Sequence, residues 1–209
     1  MLELSHHQQG LTLVELLVTL AIFGVLLAVG IPNASHWLLA NRARSASEFY
    51  AEGFSLARRQ AIAHNSHSRI VLTPNVRSGQ MDWQVDLCFV TPAAQCSDVQ
   101  GAWSTTAAPS AADPQGLDGW KSVFRAADAL PPSEVLAPAL LPDGAREVYY
   151  TPMGWVDPVV GQRLASLQLL PARAYAGDVP PVALVITLAG MATKCNPSLP
   201  VSDSRGCPP

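Results

Sequence analysis

The sequence predicts an α+β chain: one long N-terminal helix packed on antiparallel β-structure. Three observations carry this. Leu11 to Ile31 is an apolar run in which Glu15 is the one charged residue. Beyond Pro32, apolar residues recur at helical spacing to about position 64. Finally, 17 of the 18 prolines lie after Thr73, among short apolar segments of strand length. With 209 residues and 49% hydrophobic content, the chain can build one domain with a core and an appendage.

The 21 residues from Leu11 to Ile31 would reach about 30 Å as a helix, one hydrocarbon core, so residues 11–31 read as a transmembrane helix. A secretory signal would place small residues after a shorter apolar run. Here the order is inverted: a short polar leader at 1–10, then Gly10, then the apolar helix. Glycine offers no steric resistance to the extended backbone that a protease needs. Cutting between Gly10 and Leu11 would expose a new α-amine at Leu11, one helical turn from Glu15. An unpaired acid in the bilayer costs about 2.5–3.5 kcal/mol, which a nearby amine would offset. The simpler reading is a plain membrane anchor whose Glu15 meets its own chain's amine or the helix dipole.

Residues 32–65 continue as an amphipathic helix. Ala34, Trp37, Leu38, Phe49, Tyr50, Phe54, Ala57, Ala61 and Ile62 form the apolar stripe expected to face a sheet, and Pro32 predicts a kink. Residues 66–209 read as a β-rich domain. Strands are expected at Arg69–Thr73, Asp82–Val90, Glu147–Thr151, Leu164–Leu170 and Pro181–Leu188, with "PNVRSGQ" as a hairpin connection. Residues 92–146 are expected as a long loop, its first part rich in Ala, Ser, Thr, Pro and Gly.

The four cysteines form no CxxC pair and allow three disulfide pairings. Pairing of sequence neighbours, Cys88 with Cys96 and Cys195 with Cys207, is the simplest because both loops are short. Disulfides imply an oxidising compartment. The net charge of −3 and a pI near 5.9 leave no basic excess for nucleic acid. No GxSxG, HExxH or phosphate-loop motif occurs. His64 and His67 read as a solvated helix end rather than a metal pair. Asp113, Asp118, Asp128 and Glu134 read as solvated charge. Trp103, Trp120 and Trp155 could be exposed anchors for partner subunits, with core or loop packing the favoured reading. No enzyme, metal or cofactor is expected.

The stretch "GLTLVELLVTLAIFGVLLAVGIP" resembles the class III signal of type IV pilins and type II secretion pseudopilins. The resemblance implies a pilin-like fold and cleavage by prepilin peptidase after Gly10, with N-methylation of Leu11. Glu15, fifth in the mature chain, would then guide assembly by meeting a neighbouring subunit's amine. Gly24 and Pro32 fall where pilins carry helix-softening residues, and Gly24, Ala28 and Gly30 would let helices pack closely. Two features depart from the pattern. Leu11 stands where phenylalanine or methionine is usual, and the leader has no Lys or Arg. Arg42 and Arg44 would even reverse the positive-inside orientation, so a periplasmic C-terminal domain is implied by the resemblance alone.

A second stretch, "NRARSASEFYAEGFSLARRQAIAHNSHSRIVL", is similar to the helix and first strand of the type II secretion protein H and FimT/FimU group. Arg44, Ala57, Arg58, Ala61, Ile62 and Asn65 match its signature, and Gln60 replaces the usual glutamate. "TPMGWVDP" and "VALVITLAGMATKC" resemble its later segments. The implied function is a minor pilin, held in the inner membrane and then built with other minor pilins and the major pilin into the tip or priming complex of a type IV pilus. Such pili serve adhesion and twitching motility. The disulfide-rich C-terminus favours this over a type II secretion minor pseudopilin. Some FimT-type proteins bind DNA through Gly-Arg-x-Arg after the last strand. Here Gly190 to Lys194 offers Lys194 alone, and loss of Glu3 with the leader leaves 13 basic against 15 acidic residues, so DNA is not an expected partner. Arg58, Arg59 and Arg69 could form at most a small patch.

Overall fold

The computed structural model describes residues 12–92, 95–97, 100–177 and 179–208, without the side chains of 29–36. One helix, α1 (Leu13–Ala63), precedes eight strands: β1 (His67–Pro74), β2 (Met81–Cys88), β3 (Val123–Arg125), β4 (Leu136–Leu141), β5 (Glu147–Tyr150), β6 (Ser166–Pro171), β7 (Val182–Ile186) and β8 (Ala192–Cys195). The chain divides into two compact units, Met1–Leu39 and Ala40–Pro209. The architecture is α+β and pilin-like, with helix on antiparallel sheets.

In the first unit, every described side chain from 12 to 28 is exposed. Among the described residues, no helix is long and apolar enough to cross a membrane. Leu11 and the side chains of residues 29–31, which belong to the expected span, lie outside the described residues. The helix is continuous in backbone terms through position 32.

In the second unit the 3.6-residue stripe is buried at Ala43, Ala46, Tyr50, Phe54, Ala57 and Ala61. The expected stripe began earlier and ran wider. Trp37, Leu38 and Ile62 are exposed, and Phe49 is half-buried. Two four-stranded antiparallel sheets follow, ordered β3-β2-β1-β5 and β4-β6-β7-β8. In β1, Ser68, Ile70 and Leu72 are buried in alternation, as a half-covered strand requires. Ser68 Oγ donates to the Ala57 carbonyl at 2.7 Å, and Trp83 Nε1 of β2 donates to the Phe49 carbonyl at 3.0 Å. Gly53 makes this approach possible: a Cβ there would sit 2.8 Å from Ile70 Cδ1 and 3.0 Å from the Trp83 ring.

The "PNVRSGQ" connection is a hairpin, with Pro74 opposite Met81. Asn75 Oδ1 accepts the N–H groups of Arg77 and Ser78, both at 2.9 Å, and Gly79 has φ +68°. The buried Gln80 then ties the helix to the following loop. Its Oε1 accepts from Tyr50 Oη at 3.1 Å, and its Nε2 donates to the carbonyls of Pro131 and Leu136 at 2.8 and 2.6 Å. Burial raises the Tyr50 pKa, against the Met81 N–H that donates to the phenol oxygen.

The stretch 92–146 is not all loop. It holds β3 and β4, which extend the two sheets at their edges. Strands this short are fixed by pairing with β2 and β6, not by their own pattern. The final strand β8 was likewise absent from the expected set. Asp113 is also not solvated: it is buried, and its carboxylate accepts the N–H groups of Gln115 (2.9 Å) and Trp120 (3.1 Å). Cys88 is bonded to Cys96, and Cys195 to Cys207.

Candidate functional site

The helix starts on a capping arrangement. The sequence Thr12-Leu13-Val14-Glu15 has the T-x-x-E form of a capping box, and the Glu15 N–H donates to Thr12 Oγ1 at 3.2 Å. Glu15 lies in the first turn, where a carboxylate meets the positive end of the helix dipole. Its side chain is exposed. Glu15 therefore has a local role at the helix dipole besides any pairing with an amine, while Thr12 supplies the capping oxygen, and the capping signal was present in the sequence. Gly10 and Leu11 lie outside the described residues. Gly24 is described, and a Cβ there would meet nothing within 4 Å. Its lack of a side chain serves no contact within this unit. Of Gly30 and Pro32 only the helical backbone is described.

At the other end of α1, Asn65 takes φ +46°. The Ser66 N–H donates to the Ala61 carbonyl at 3.1 Å and the Asn65 N–H to Ile62 at 3.2 Å, a Schellman end with Asn65 in the left-handed position. This stops the helix and turns the chain into β1. His64 and His67 are separated by that turn. His64 lies 6.3 Å from the Trp120 ring, and His67 Nδ1 lies 3.7 Å from Asp157. Burial lowers the His67 pKa, and the Asp157 charge opposes it. No metal-binding group of three side chains occurs among the described residues.

The possible arginine patch separates in space. Arg58 Nε donates to the Gly154 carbonyl at 3.1 Å, and Arg59 Nη1 to Ser55 Oγ at 2.9 Å. Arg69 turns away to bind buried Asp86 at 2.8 Å, with its Cζ 4.5 Å from the centre of the Trp103 ring. Burial acts to lower the Arg69 pKa, but the hydrogen bond and charge of Asp86 outweigh it and the net shift is upward. Tyr149 joins this cluster through Glu147 and the Trp103 ring edge. Its phenol is pushed up to about 12, by burial first and then by Glu147. Trp103, half-buried, and the Cys88–Cys96 bond thus anchor the start of the 92–146 stretch. Lys194 pairs with Glu48 and is not a free cation for phosphate. Trp155, read as packing, is 60% exposed.

Residues 5–31 match the family described as the prokaryotic N-terminal methylation motif. No curated protein and no solved structure matches the chain. The motif implies processing by prepilin peptidase and assembly with other pilins into pili or pseudopili. The matched segment contains Glu15 and the exposed apolar helix start described above. The chain therefore carries the N-terminal methylation motif of a type IV pilin-like protein.

Proposed function

We propose that this protein is a minor pilin, cleaved between Gly10 and Leu11, methylated at Leu11, and incorporated at the tip or priming complex of a type IV pilus. Before assembly it is a single-pass protein of the inner membrane, with residues 11–31 as the span and residues 66–209 in the periplasm. The supporting observation is one apolar helix that carries the methylation motif, buries no described side chain from 12 to 28, and holds Glu15 in its first turn. A wholly exposed apolar helix is stable only in lipid or against other helices. A fibre core of helices supplies the second environment, with Gly24 as a contact that needs no side chain. Glu15 then meets the amine of a neighbouring subunit. The Cys195–Cys207 bond favours the pilus over a type II secretion pseudopilus.

The test is a pair of variants. Gly10→Val should leave the leader attached, so a mature-sized band would reject the cleavage site. Glu15→Val should be cleaved normally yet fail to assemble, and normal piliation would reject the assembly role.

A further inference from the structure

The chain has four methionines: Met1, Met81, Met153 and Met191. Met1 lies outside the described residues. Met81 is buried, with 7% of its surface exposed, whereas Met153 and Met191 are 74% and 54% exposed. Each of the exposed two belongs to one of a pair of turns that repeat one another, Thr151-Pro152-Met153-Gly154-Trp155 and Thr187-Leu188-Ala189-Gly190-Met191. In the first, the Thr151 N–H donates to the Trp155 carbonyl (2.8 Å), the Gly154 N–H to the Thr151 carbonyl (2.7 Å) and the Trp155 N–H to Thr151 Oγ1 (3.3 Å). In the second, the Thr187 N–H donates to the Met191 carbonyl (2.9 Å), the Gly190 N–H to the Thr187 carbonyl (2.9 Å) and the Met191 N–H to Thr187 Oγ1 (3.3 Å). Gly154 and Gly190 have φ +75° and +79°. The turns touch. The Val156 N–H donates to the Leu188 carbonyl at 3.0 Å, and a Cβ on Gly190 would collide with the Gly154 carbonyl. Met153 and Met191 thus each stand one residue from this glycine contact. Arg58 and Ile62 of α1 support the pair from below, against Gly154.

The bonds that close the turns run through backbone groups and the two threonine hydroxyls, so a change at either sulfur removes none of them. The thioethers are soft, polarizable and open to solvent. A free thiolate would react with a peroxide first. Here there is none, because all four cysteines are held in two disulfides. Disulfides also belong to an oxidising compartment. The exposed thioethers are then the sulfur groups left for a two-electron oxidant. The sulfur lone pair attacks one oxygen of hydrogen peroxide, and the O–O bond breaks as the S–O bond forms. The departing hydroxide takes the remaining hydroxyl proton, which leaves a sulfoxide and water. Sulfur gives up two electrons and the peroxide accepts them. A dithiol reverses the step and ends as a disulfide and water. Each sulfoxide is polar where the thioether was apolar. Trp155 and Leu188 are exposed on the same turns, so oxidation breaks up an apolar face while the turns stay closed.

We propose that Met153 and Met191 form a reversible oxidation site, at which peroxide makes the surface of the paired turns polar without unfolding the domain. This does not rest on the assembly role of Glu15, and either can fail without the other. The experiment exposes the full chain, in nanodiscs of saturated zwitterionic lipid, to hydrogen peroxide. Samples are quenched with catalase and digested, and the sulfoxide at each methionine is read by mass spectrometry. Met153 and Met191 should each oxidise about tenfold faster than Met81. The unfolding temperature should hold while only this pair is modified. The two methionine sulfoxide reductases, one for each sulfoxide epimer, should restore both residues with dithiothreitol as reductant. Met153→Leu combined with Met191→Leu keeps the apolar volume, and should abolish the fast phase while leaving the Met81 rate as it was. Oxidation of Met81 as fast as the pair overturns the proposal, and so does either exposed methionine reacting as slowly as Met81. Unfolding that accompanies modification of the pair, or sulfoxides that the reductases do not return, overturns it as well.

Discussion

Residues 12–28 and residues 43–61 belong to one helix, yet their apolar side chains meet opposite environments. The earlier stretch is apolar on all sides and buries none of its described side chains. The later one is apolar on one stripe and buries it against β1 and β2, with Trp83 and Ser68 bonded directly to the helix backbone. Pattern separates them. An all-round apolar helix needs a partner surface on every side, which a single small domain does not supply. A striped helix needs one sheet. The second stretch is therefore where this domain holds its stability, and the first is free to serve assembly.

The largest effect that would break this comparison is at Trp83. Trp83→Ala should destabilise the second unit by about 3–5 kcal/mol in urea denaturation of the full chain followed by near-ultraviolet circular dichroism. Phe23→Ala, in the exposed stretch, should change the same transition by less than about 0.5 kcal/mol. Equal effects would mean that the first stretch is packed after all. Next is the disulfide that anchors the 92–146 stretch. Replacing Cys88 and Cys96 together by serine should cost about 2–3 kcal/mol on the loop-entropy model, read from the same transition.

Glycines give a smaller and sharper contrast. Gly190→Ala places a Cβ against the Gly154 carbonyl at a positive φ and should cost about 1–3 kcal/mol. Gly24→Ala meets nothing and should raise helix propensity by about 1 kcal/mol, so circular dichroism should show unchanged or higher helicity. If Gly24→Ala nonetheless lowers piliation, the glycine acts between helices. The smallest effect is pH dependence at His67. Its folded pKa lies below the unfolded value, so the unfolded state binds more protons as pH falls. Stability should be complete above the ordinary histidine range and fall as pH drops through the lowered pKa. His67→Asn should flatten that part of a stability-against-pH curve.

Much of the second unit was legible because its signals are local. The helix to Ala63, the hairpin at Asn75–Gln80 and the centres of five strands follow from periodicity and turn residues. Neighbouring cysteines close short loops, and the structure has both bonds. β3 and β4 were not legible, since three to six residues in a Pro- and Ala-rich stretch become strands only when a neighbour supplies the ladder. The roles of Asp113 and Arg69 were missed for a similar reason. Both look like surface charge until the fold brings a turn or a buried Asp86 to them. The capping at Thr12 is also local, a T-x-x-E pattern at residues 12–15.

By itself the sequence determined the α+β class, the helix that changes from all-round to one-sided apolarity, and the N-terminal motif with Glu15 at its start. Each depends on residues close together in the chain. Tertiary structure alone decided that two distant Thr-x-x-Gly turns meet, that Arg58 lies beneath them while Arg69 points elsewhere, and that Trp155 is left in solvent. Those outcomes depend on contacts between residues 17 or more positions apart, and no local pattern encodes which of them the packed core will allow.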